Sequence, residues 1–327
     1  MKSLKVVFKS NGVKLAGVLR YPENQKGQVP AVHLIHGSLE QDRDGNLLRH
    51  PDGRKVPRKN FFLEISKHLC SIGCATFSWD KRGYGESEGS KGNLLTSLKD
   101  TKAALNTLFS LDNLVDPEKI AILGQSAGVY IACLLAKEES GVCAYIFQGG
   151  LYRDYSQLIK FNYLPVKRYA ERSREHLAWL ERHNLWGLVM AYNLQELEKA
   201  GKEGRKEIVV TYKGKEWRLK PESLPYRDGY APSQLFKYIK KPVLILHGEY
   251  DLNVPVEDAY LIEKELKKWG NRDVELKIIS KADHSFQEVA EEEEIRLKEM
   301  MSLACFSRPY REEYFKVLTD FVKRILF

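Results

Sequence analysis

Three residues of this sequence have side chains that could together perform nucleophilic catalysis, and each follows a short apolar run. Ser126 stands in a Gly-Gln-Ser-Ala-Gly pentapeptide between an apolar run and a helix-like pattern. Asp251 and His284 follow two later apolar runs. A serine hydroxyl is a poor nucleophile near neutral pH, so it needs a base within reach and a third group to orient that base. The chain order Ser, Asp, His provides one candidate for each role.

The pentapeptide around Ser126 predicts a sharp turn between a strand and a helix. Gly124 and Gly128 fit that turn, because a Cβ at either position would crowd the helix against the strand. Backbone N–H groups at the start of such a helix can stabilise developing negative charge. Short Gly/Ser patterns also arise by chance, so the pentapeptide alone leaves open an ordinary turn with an incidental serine.

A second source of backbone N–H donors is predicted after the buried strand at 29–35. His36-Gly37 ends this strand, and Gly37 would let the backbone approach a substrate closely. The N–H of Ser38 is the best candidate for a second oxyanion donor, and the N–H of Leu39 is the alternative. We expect His36 to hydrogen-bond its own loop rather than to act as a base.

The hydrophobic pattern predicts an α/β fold with a mostly parallel sheet. Alternating apolar and polar residues on both sides of Ser10-Asn11-Gly12 predict an antiparallel N-terminal hairpin. Buried strands and helical patterns alternate over 1–150 and again over 236–327, which predicts helices on both faces of the sheet. Ser126, Asp251 and His284 would all follow carboxyl ends of parallel strands, where open α/β sheets bind ligands.

Residues 151–235 interrupt the alternation and are predicted to form a cap inserted into the sheet domain. Within it, 167–200 has a helix-forming composition and 207–219 is typical of a small hairpin. The segment contains 11 of the chain's 22 Trp and Tyr residues. These aromatic side chains could line an apolar pocket or could pack the cap's own core, and the sequence leaves both open.

Taken together, the motifs resemble those of the α/β-hydrolase superfamily, particularly its capped serine esterases, including feruloyl- and cinnamoyl-esterase-like members. The motifs are His36-Gly37, Asp80-x-Arg82-Gly83-x-Gly85-x-Ser87, Gly124-x-Ser126-x-Gly128, His247-Gly-x-x-Asp251-x-x-Val-Pro255 and Asp283-His284. The resemblance implies Ser126 as nucleophile, His284 as base and then acid, and Asp251 as the orienting carboxylate. It also implies oxyanion donors at the N–H groups of Ala127 and Ser38, and neither a metal nor an organic cofactor.

Two other acidic residues compete with Asp251 for a role in the site. Glu249 lies two residues before Asp251, but Asp251 has the better register with Val254-Pro255. Asp80 ends a strand, and we expect it to fix the turn at Arg82 rather than to take part in catalysis.

Composition and charge restrict the setting in which this chemistry would occur. The 327 residues carry a formal net charge of +8, of which 151–235 contribute +5. The five cysteines show no metal-ligand spacing, no apolar run reaches the roughly 18–20 residues of a membrane span, and the N-terminus lacks a signal-peptide pattern. These features predict a cytoplasmic protein with reduced thiols and no nucleic-acid or membrane partner, and they leave a homodimer open. The expected partner, a small-molecule ester substrate, follows from the candidate triad and the resemblance.

The predicted function is therefore carboxylic ester hydrolysis through an acyl-enzyme. A peptidase, thioesterase or acyltransferase could use the same three residues, and the basic cap is compatible with an anionic acyl donor such as a CoA thioester. A non-catalytic ligand-binding protein on the same scaffold is the remaining alternative, although such proteins usually lose part of the triad.

Overall fold

The computed structural model describes residues 1–50, 53, 55–138, 141–203, 205, 207–219 and 232–327. Eight strands form the main sheet: β1 (Lys2–Ser10), β2 (Val13–Tyr21), β3 (Val29–Ile35), β4 (Ala75–Trp79), β5 (Val115–Gln125), β6 (Ala144–Gln148), β9 (Val243–Gly248) and β10 (Val274–Ile279). A separate two-stranded sheet consists of β7 (Ile208–Tyr212) and β8 (Lys215–Leu219).

The helices come in three groups along the chain. Before the insertion lie α1 (Phe61–Ser71), α2 (Leu94–Phe109) and α3 (Ala127–Lys137). Within 151–235 lie α4 (Tyr155–Ala170), α5 (Arg174–His183), α6 (Leu185–Tyr192), α7 (Leu194–Glu203) and the short α8 (Pro232–Leu235). After it lie α9 (Val256–Lys268), α10 (Glu293–Ser302) and α11 (Glu312–Leu326), with short 3-10 turns at Phe236–Tyr238 and Ala304–Ser307.

The main sheet has the strand order β1-β2-β4-β3-β5-β6-β9-β10. Strand β2 pairs antiparallel with β1 and β4, and every other neighbouring pair is parallel. The register places Gly124 opposite both Ile35 and Phe147. Because these strands end at the same level, the residues that follow them leave the sheet side by side. The α/β class with a mostly parallel sheet and an N-terminal hairpin is confirmed.

Hydrophobic side chains cover both faces of the sheet. One core cluster contains residues of α2, α3 and α9, including Leu105, Val129 and Ile262. The other contains residues of α1 and α11, including Phe61 and Leu318. The predicted helices on both faces are therefore present, and they hold the strand ends in fixed relative positions.

The insertion differs from the sequence prediction in its helices. The helix-forming stretch at 167–200 lies in four helices, and the first of them already begins at Tyr155. The stretch is divided because Ser173 and Asn184 cap new helices, each accepting a hydrogen bond from the backbone N–H three residues later. The hairpin prediction agrees with β7 and β8, while residues 220–231 lie outside the described residues.

The segment between His284 and α11 folds against the insertion. Leu297 and Met301 of α10 share a hydrophobic cluster with Tyr169 and Leu180 of the insertion. Trp179 packs against the same cluster, so aromatic side chains of the insertion such as Tyr169 and Trp179 do pack its own core. Leu252, which follows Asp251, packs against this cluster as well. None of the helices in the described ranges is both long and apolar enough to cross a membrane.

Candidate active site

Ser126 lies in a strained turn between β5 and α3. Its backbone has φ 52° and ψ −118°, an arrangement that non-glycine residues rarely adopt and that costs about 1–3 kcal/mol. A Cβ on Gly124 would lie 2.6 Å from the carbonyl oxygen of Gly128, and a Cβ on Gly128 would lie 2.5 Å from that of Ile35. Gly124 is therefore required by the close approach of α3 to β5, as predicted, whereas Gly128 is required by the close approach of α3 to the end of β3.

Asp251 and His284 contact each other beyond the ends of β9 and β10. His284 Nδ1 lies 2.6 Å from Asp251 Oδ2, a short charge-assisted hydrogen bond. Asp251 Oδ1 accepts hydrogen bonds from the N–H groups of Asn253 at 2.7 Å and Val254 at 2.9 Å. The Asp251 side chain is fully buried, whereas 12% of the His284 side chain is exposed. This arrangement fixes the carboxylate and leaves the imidazole accessible from one side.

The charge of Asp251 is stabilised by two histidines. Burial by itself would raise the pKa of the Asp251 carboxyl, but the charge of His284 and hydrogen bonds from His247 and His284 lower that pKa well below its usual range. His247 Nε2 lies 3.2 Å from Asp251 Oδ2 and 3.0 Å from the carbonyl oxygen of Val254. Although burial lowers the pKa of His247, its interactions with Asp251 raise it overall. His247 therefore holds the Asp251 loop.

Glu249, the rival acid, points to a different part of the molecule. Its Oε2 accepts hydrogen bonds from Ser280 Oγ at 2.9 Å and the Lys281 N–H at 2.8 Å. These bonds lower the pKa of Glu249. The structure thus brings Asp251, and not Glu249, into contact with His284.

Ser126 and His284 are neighbours of the same short segment, Gln148-Gly149. The Ser126 N–H donates to the Gln148 carbonyl oxygen at 2.7 Å. A Cβ on Gly149 would lie 2.7 Å from His284 Cε1 and 3.5 Å from Asp251 Oδ2. In the described part of the chain, no hydrogen bond joins Ser126 Oγ to His284, which is common in ligand-free sites whose catalytic bonds tighten on substrate binding.

Gly149 is a site residue that the sequence analysis did not identify. Nothing local in the sequence shows that a histidine 135 residues later packs against it. Its backbone has φ 54°, and its missing side chain leaves the space that the His284 ring occupies. A glycine directly after a buried strand, at the level of the other strand ends, is the signal that could have found it.

We expect Gly149→Ala to lower the kcat of the reaction at this site by about 10²-fold, because the added methyl group would displace the imidazole by an ångström or so. Gly270→Ala is the matched control, since Gly270 also has a positive φ, of 85°, but its Cβ would meet open space. Both variants should lose similar stability in thermal unfolding. Equal activity of the two variants would contradict the role assigned to Gly149.

The loop after β3 lies beside the nucleophile. A Cβ on Gly37 would lie 3.1 Å from Ser126 Cβ, so the backbone of this loop packs directly against the serine. His36 Nε2 contacts the Asp42 carbonyl oxygen at 3.0 Å, and burial lowers the pKa of His36 to about 3. His36 is thus a neutral loop residue, as expected. The N–H groups of Ser38 and Ala127 belong to the two segments that flank Ser126, where oxyanion donors are needed.

Asp80 has a structural role, as expected, and its charged partner is Arg43. Arg43, rather than Arg82, pairs with its carboxylate, and the Arg43 N–H also donates to Asp80 Oδ1 at 2.7 Å. Arg82 pairs instead with Asp100 on α2, and its Nη2 donates to the Ser10 carbonyl oxygen. The charge that faces Asp80 therefore comes from an arginine outside the turn, which the sequence did not indicate. Asp80 still holds the turn, through the Glu86 N–H at 2.7 Å.

A cavity opens beside His284, between the Asp251 loop and α10. Its volume is about 80 Å³, measured in a way that assigns roughly 10–15 Å³ to one water molecule. The cavity is therefore large enough for a small organic group. Most of its wall is apolar and includes Leu252, Val289, Met300 and Phe306. The segment between His284 and α11 supplies much of this wall.

The two acidic residues in the cavity wall are already engaged. Glu299 accepts two hydrogen bonds from the Arg308 guanidinium, both at 2.6 Å. Asp283 Oδ1 accepts hydrogen bonds from the N–H groups of Ser285 and Gln287 at 2.7 and 2.9 Å, and burial raises its pKa. Among the described residues, no group of three or more His, Cys, Asp or Glu side chains is arranged to hold a metal ion.

Sequence models of two hydrolase families match separate parts of the chain. The family described as "Serine aminopeptidase, S33" matches residues 58–185, and that described as "Prolyl oligopeptidase family" matches residues 202–305. No curated protein matches the sequence.

Solved structures of several hydrolases are similar to this one. Est1E from Butyrivibrio proteoclasticus is 18% identical with a TM-score of 0.56, and the match covers 98% of this chain and 96% of that one. The Pyrococcus furiosus esterase Pf2001 is 17% identical with a TM-score of 0.60, covering 100% and 92%. The Pyrococcus horikoshii acylaminoacyl peptidase is 17% identical with a TM-score of 0.54, covering 99% and 42%. At these identities, the similarity establishes a shared fold.

Proposed function

Since this chain has the α/β-hydrolase fold, we propose that it is a serine esterase that cleaves carboxylic esters through an acyl-enzyme intermediate. The observation that carries the proposal is the 2.6 Å contact between His284 Nδ1 and Asp251 Oδ2 at the sheet edge that also presents Ser126. An orienting carboxylate, an accessible imidazole and a serine in a strained turn are the three parts that acyl transfer by an alcohol requires.

In the proposed reaction, His284 moves the proton and Ser126 forms the covalent bond. With Nδ1–H bonded to Asp251, the other ring nitrogen accepts the Ser126 proton while Oγ attacks the ester carbonyl carbon. The N–H groups of Ala127 and Ser38 stabilise the oxyanion. When the intermediate collapses, the carbon–oxygen bond to the alcohol breaks and His284 protonates the departing alkoxide. A water molecule, deprotonated by His284, then releases the acid.

We further propose that residues 151–235 serve as a cap over this reaction. Support comes from Leu252, which directly follows Asp251 and packs against the hydrophobic cluster of the insertion. Because α10 also contributes to this cluster, the insertion, α10 and the loop that holds the carboxylate pack around one hydrophobic cluster.

A peptidase is the second candidate, because both matching families are described as peptidases and one similar structure is an acylaminoacyl peptidase. An aminopeptidase has to bind the α-ammonium group of its substrate, which calls for an available carboxylate. Glu299 and Asp283, the acidic residues of the cavity beside His284, are occupied by Arg308 and by backbone N–H groups. This favours an uncharged ester over a peptide with a free amino terminus.

The cavity also supports a small acyl or alcohol group. Its volume of about 80 Å³ and apolar wall suit a short aliphatic chain better than a long one. A structure of Est1E contains ferulic acid, so a compact aromatic acid is the other group to test.

The experiment is a comparison of initial rates on p-nitrophenyl esters from acetyl to palmitoyl, methyl ferulate, aminoacyl p-nitroanilides and acyl-CoA thioesters. We expect hydrolysis of esters, highest for short chains, and its loss in Ser126→Ala. A folded wild type that cleaves anilides faster than every ester would overturn the esterase proposal in favour of a peptidase. Faster cleavage of thioesters would instead assign the enzyme to thioester substrates.

A further inference from the structure

The loop after β3 is held by its carbonyl groups. Lys81 Nζ donates to the carbonyl oxygens of Gly37 at 3.1 Å and Leu39 at 2.7 Å. Gln41 Nε2 donates to the carbonyl oxygen between them, that of Ser38, at 2.7 Å. Three consecutive carbonyls of a loop that borders the nucleophile are therefore bonded to side chains, two of them to one ammonium group.

The positions of these carbonyl groups also determine the direction in which the N–H groups of the same peptides point. All peptide bonds of the described residues are trans, so the C=O and N–H of each peptide point in opposite directions. Because Lys81 binds the Gly37 carbonyl, the Ser38 N–H of the same peptide points away from Lys81. Within the described part of the chain, the Ser38 and Leu39 N–H groups have no hydrogen-bond acceptor. They are donors without a partner beside Ser126.

The loop would not keep this conformation without its carbonyl contacts. Leu39 has φ 66°, in the left-handed region, and both Ser38 and Leu39 are exposed, so packing does not hold them. Lys81 is itself well anchored: its N–H donates to the Gln41 carbonyl oxygen at 3.2 Å, and its carbonyl accepts from the Tyr84 N–H at 3.0 Å. The neighbouring Asp80 is fixed by Arg43. The backbone of the turn after β4 is thus fixed, and it holds the Lys81 side chain in place.

We propose that Lys81 is a positioning residue for the oxyanion hole. Its ammonium group fixes the plane of the Gly37–Ser38 peptide so that the Ser38 N–H faces the carbonyl oxygen of the substrate. A positive charge on the carbonyl side also polarises the peptide, which makes its N–H a stronger donor. This inference rests on the proposed acyl transfer at Ser126, and it adds a residue that touches neither the substrate nor the triad.

The test compares Lys81→Met with Lys81→Arg and with Lys67→Met. Methionine removes the donors but keeps an unbranched side chain, arginine retains donors, and Lys67 is an exposed residue of α1 that pairs with Glu64. We expect Lys81→Met to lower kcat roughly 10- to 100-fold with KM within about twofold, since removing a whole oxyanion donor costs about 10²–10³. Lys81→Arg should recover part of the loss, and Lys67→Met should match the wild type.

A second readout separates positioning from a general structural role. The Kd of a trifluoromethyl ketone, whose adduct with a serine carries an oxyanion, should rise in Lys81→Met by the factor by which kcat falls. The inference would be overturned if Lys81→Met had the kcat and the ketone affinity of the wild type. It would also be overturned if kcat and the unfolding temperature both fell while the ketone affinity stayed unchanged. A wild type that binds the ketone but cleaves no ester would overturn the proposed substrate class, while the ketone comparison would still decide the role of Lys81.

Discussion

Replacing Asp251 by asparagine should lower kcat/KM for ester hydrolysis by about 10⁴ while the protein stays folded. Asparagine has nearly the same shape, but its amide lacks the charge that stabilises the imidazolium and can present an N–H to His284 Nδ1, which favours the wrong tautomer of the ring. The effect should be large because the Asp251 carboxylate is fully buried and contacts Nδ1 directly at 2.6 Å. Initial rates on the best p-nitrophenyl ester, with KM determined separately, measure it.

Glu249→Gln is the matched control for this variant. It makes the same change of carboxylate to amide two residues away, but Glu249 contacts Ser280 and Lys281 on the exposed side of the loop. We expect its kcat/KM to stay within about twofold of the wild type. A larger loss in Glu249→Gln than in Asp251→Asn would contradict the assignment of the orienting acid.

Acid should destabilise the fold strongly because two histidines are buried in neutral form. Burial lowers the pKa of both His33 and His36 to about 3, from 6.5 in the unfolded chain. Below pH 6.5 the unfolded state binds protons that the folded state does not, so stability is complete above pH 6.5 and falls as the pH drops toward 3. At about 1.4 kcal/mol per pH unit for each group, both histidines together cost roughly 5 kcal/mol between pH 6.5 and 4.5.

The variant His33→Phe tests this contribution, because a phenyl ring can keep the stacking on Trp79 and Phe77 while removing the titration. The free energy of unfolding, measured in urea at pH 7.0 and pH 4.5, should fall about half as much for this variant as for the wild type. His68→Phe is the control, since the half-exposed His68 stacks on Phe315 at the surface of α1. The same acid loss in His33→Phe and wild type would contradict the account.

The sequence predicted those parts of the site that depend on strand ends. Buried strands are recognisable as short apolar runs, and parallel strands bring the residues that follow them to one edge. That reasoning selected Ser126, Asp251 and His284, and the structure places Asp251 and His284 in contact. Gly124 was predicted correctly because the crossing of β5 and α3 is a local feature, whereas the contact that requires Gly128 is made with the end of β3.

Other features could not be predicted because they depend on long-range packing. Three contacts join residues that are far apart in sequence. The His284 ring packs against Gly149, Arg43 pairs with Asp80, and Lys81 donates to the Gly37 carbonyl oxygen. A composition-based reading of 167–200 also missed the helix boundaries there, since Ser173 and Asn184 act through single capping hydrogen bonds. Periodicity does not record such contacts.

The central claim is that Ser126 forms the acyl-enzyme, and intact-protein mass spectrometry of the enzyme mixed with a p-nitrophenyl ester tests it most directly. We predict one acyl group per chain, mapped by peptide analysis to Ser126, together with a burst of p-nitrophenol of equal amount. Ser126→Ala should show neither the adduct nor the burst while unfolding at the same temperature as the wild type. An adduct on a different residue, or undiminished turnover by Ser126→Ala, would contradict the account.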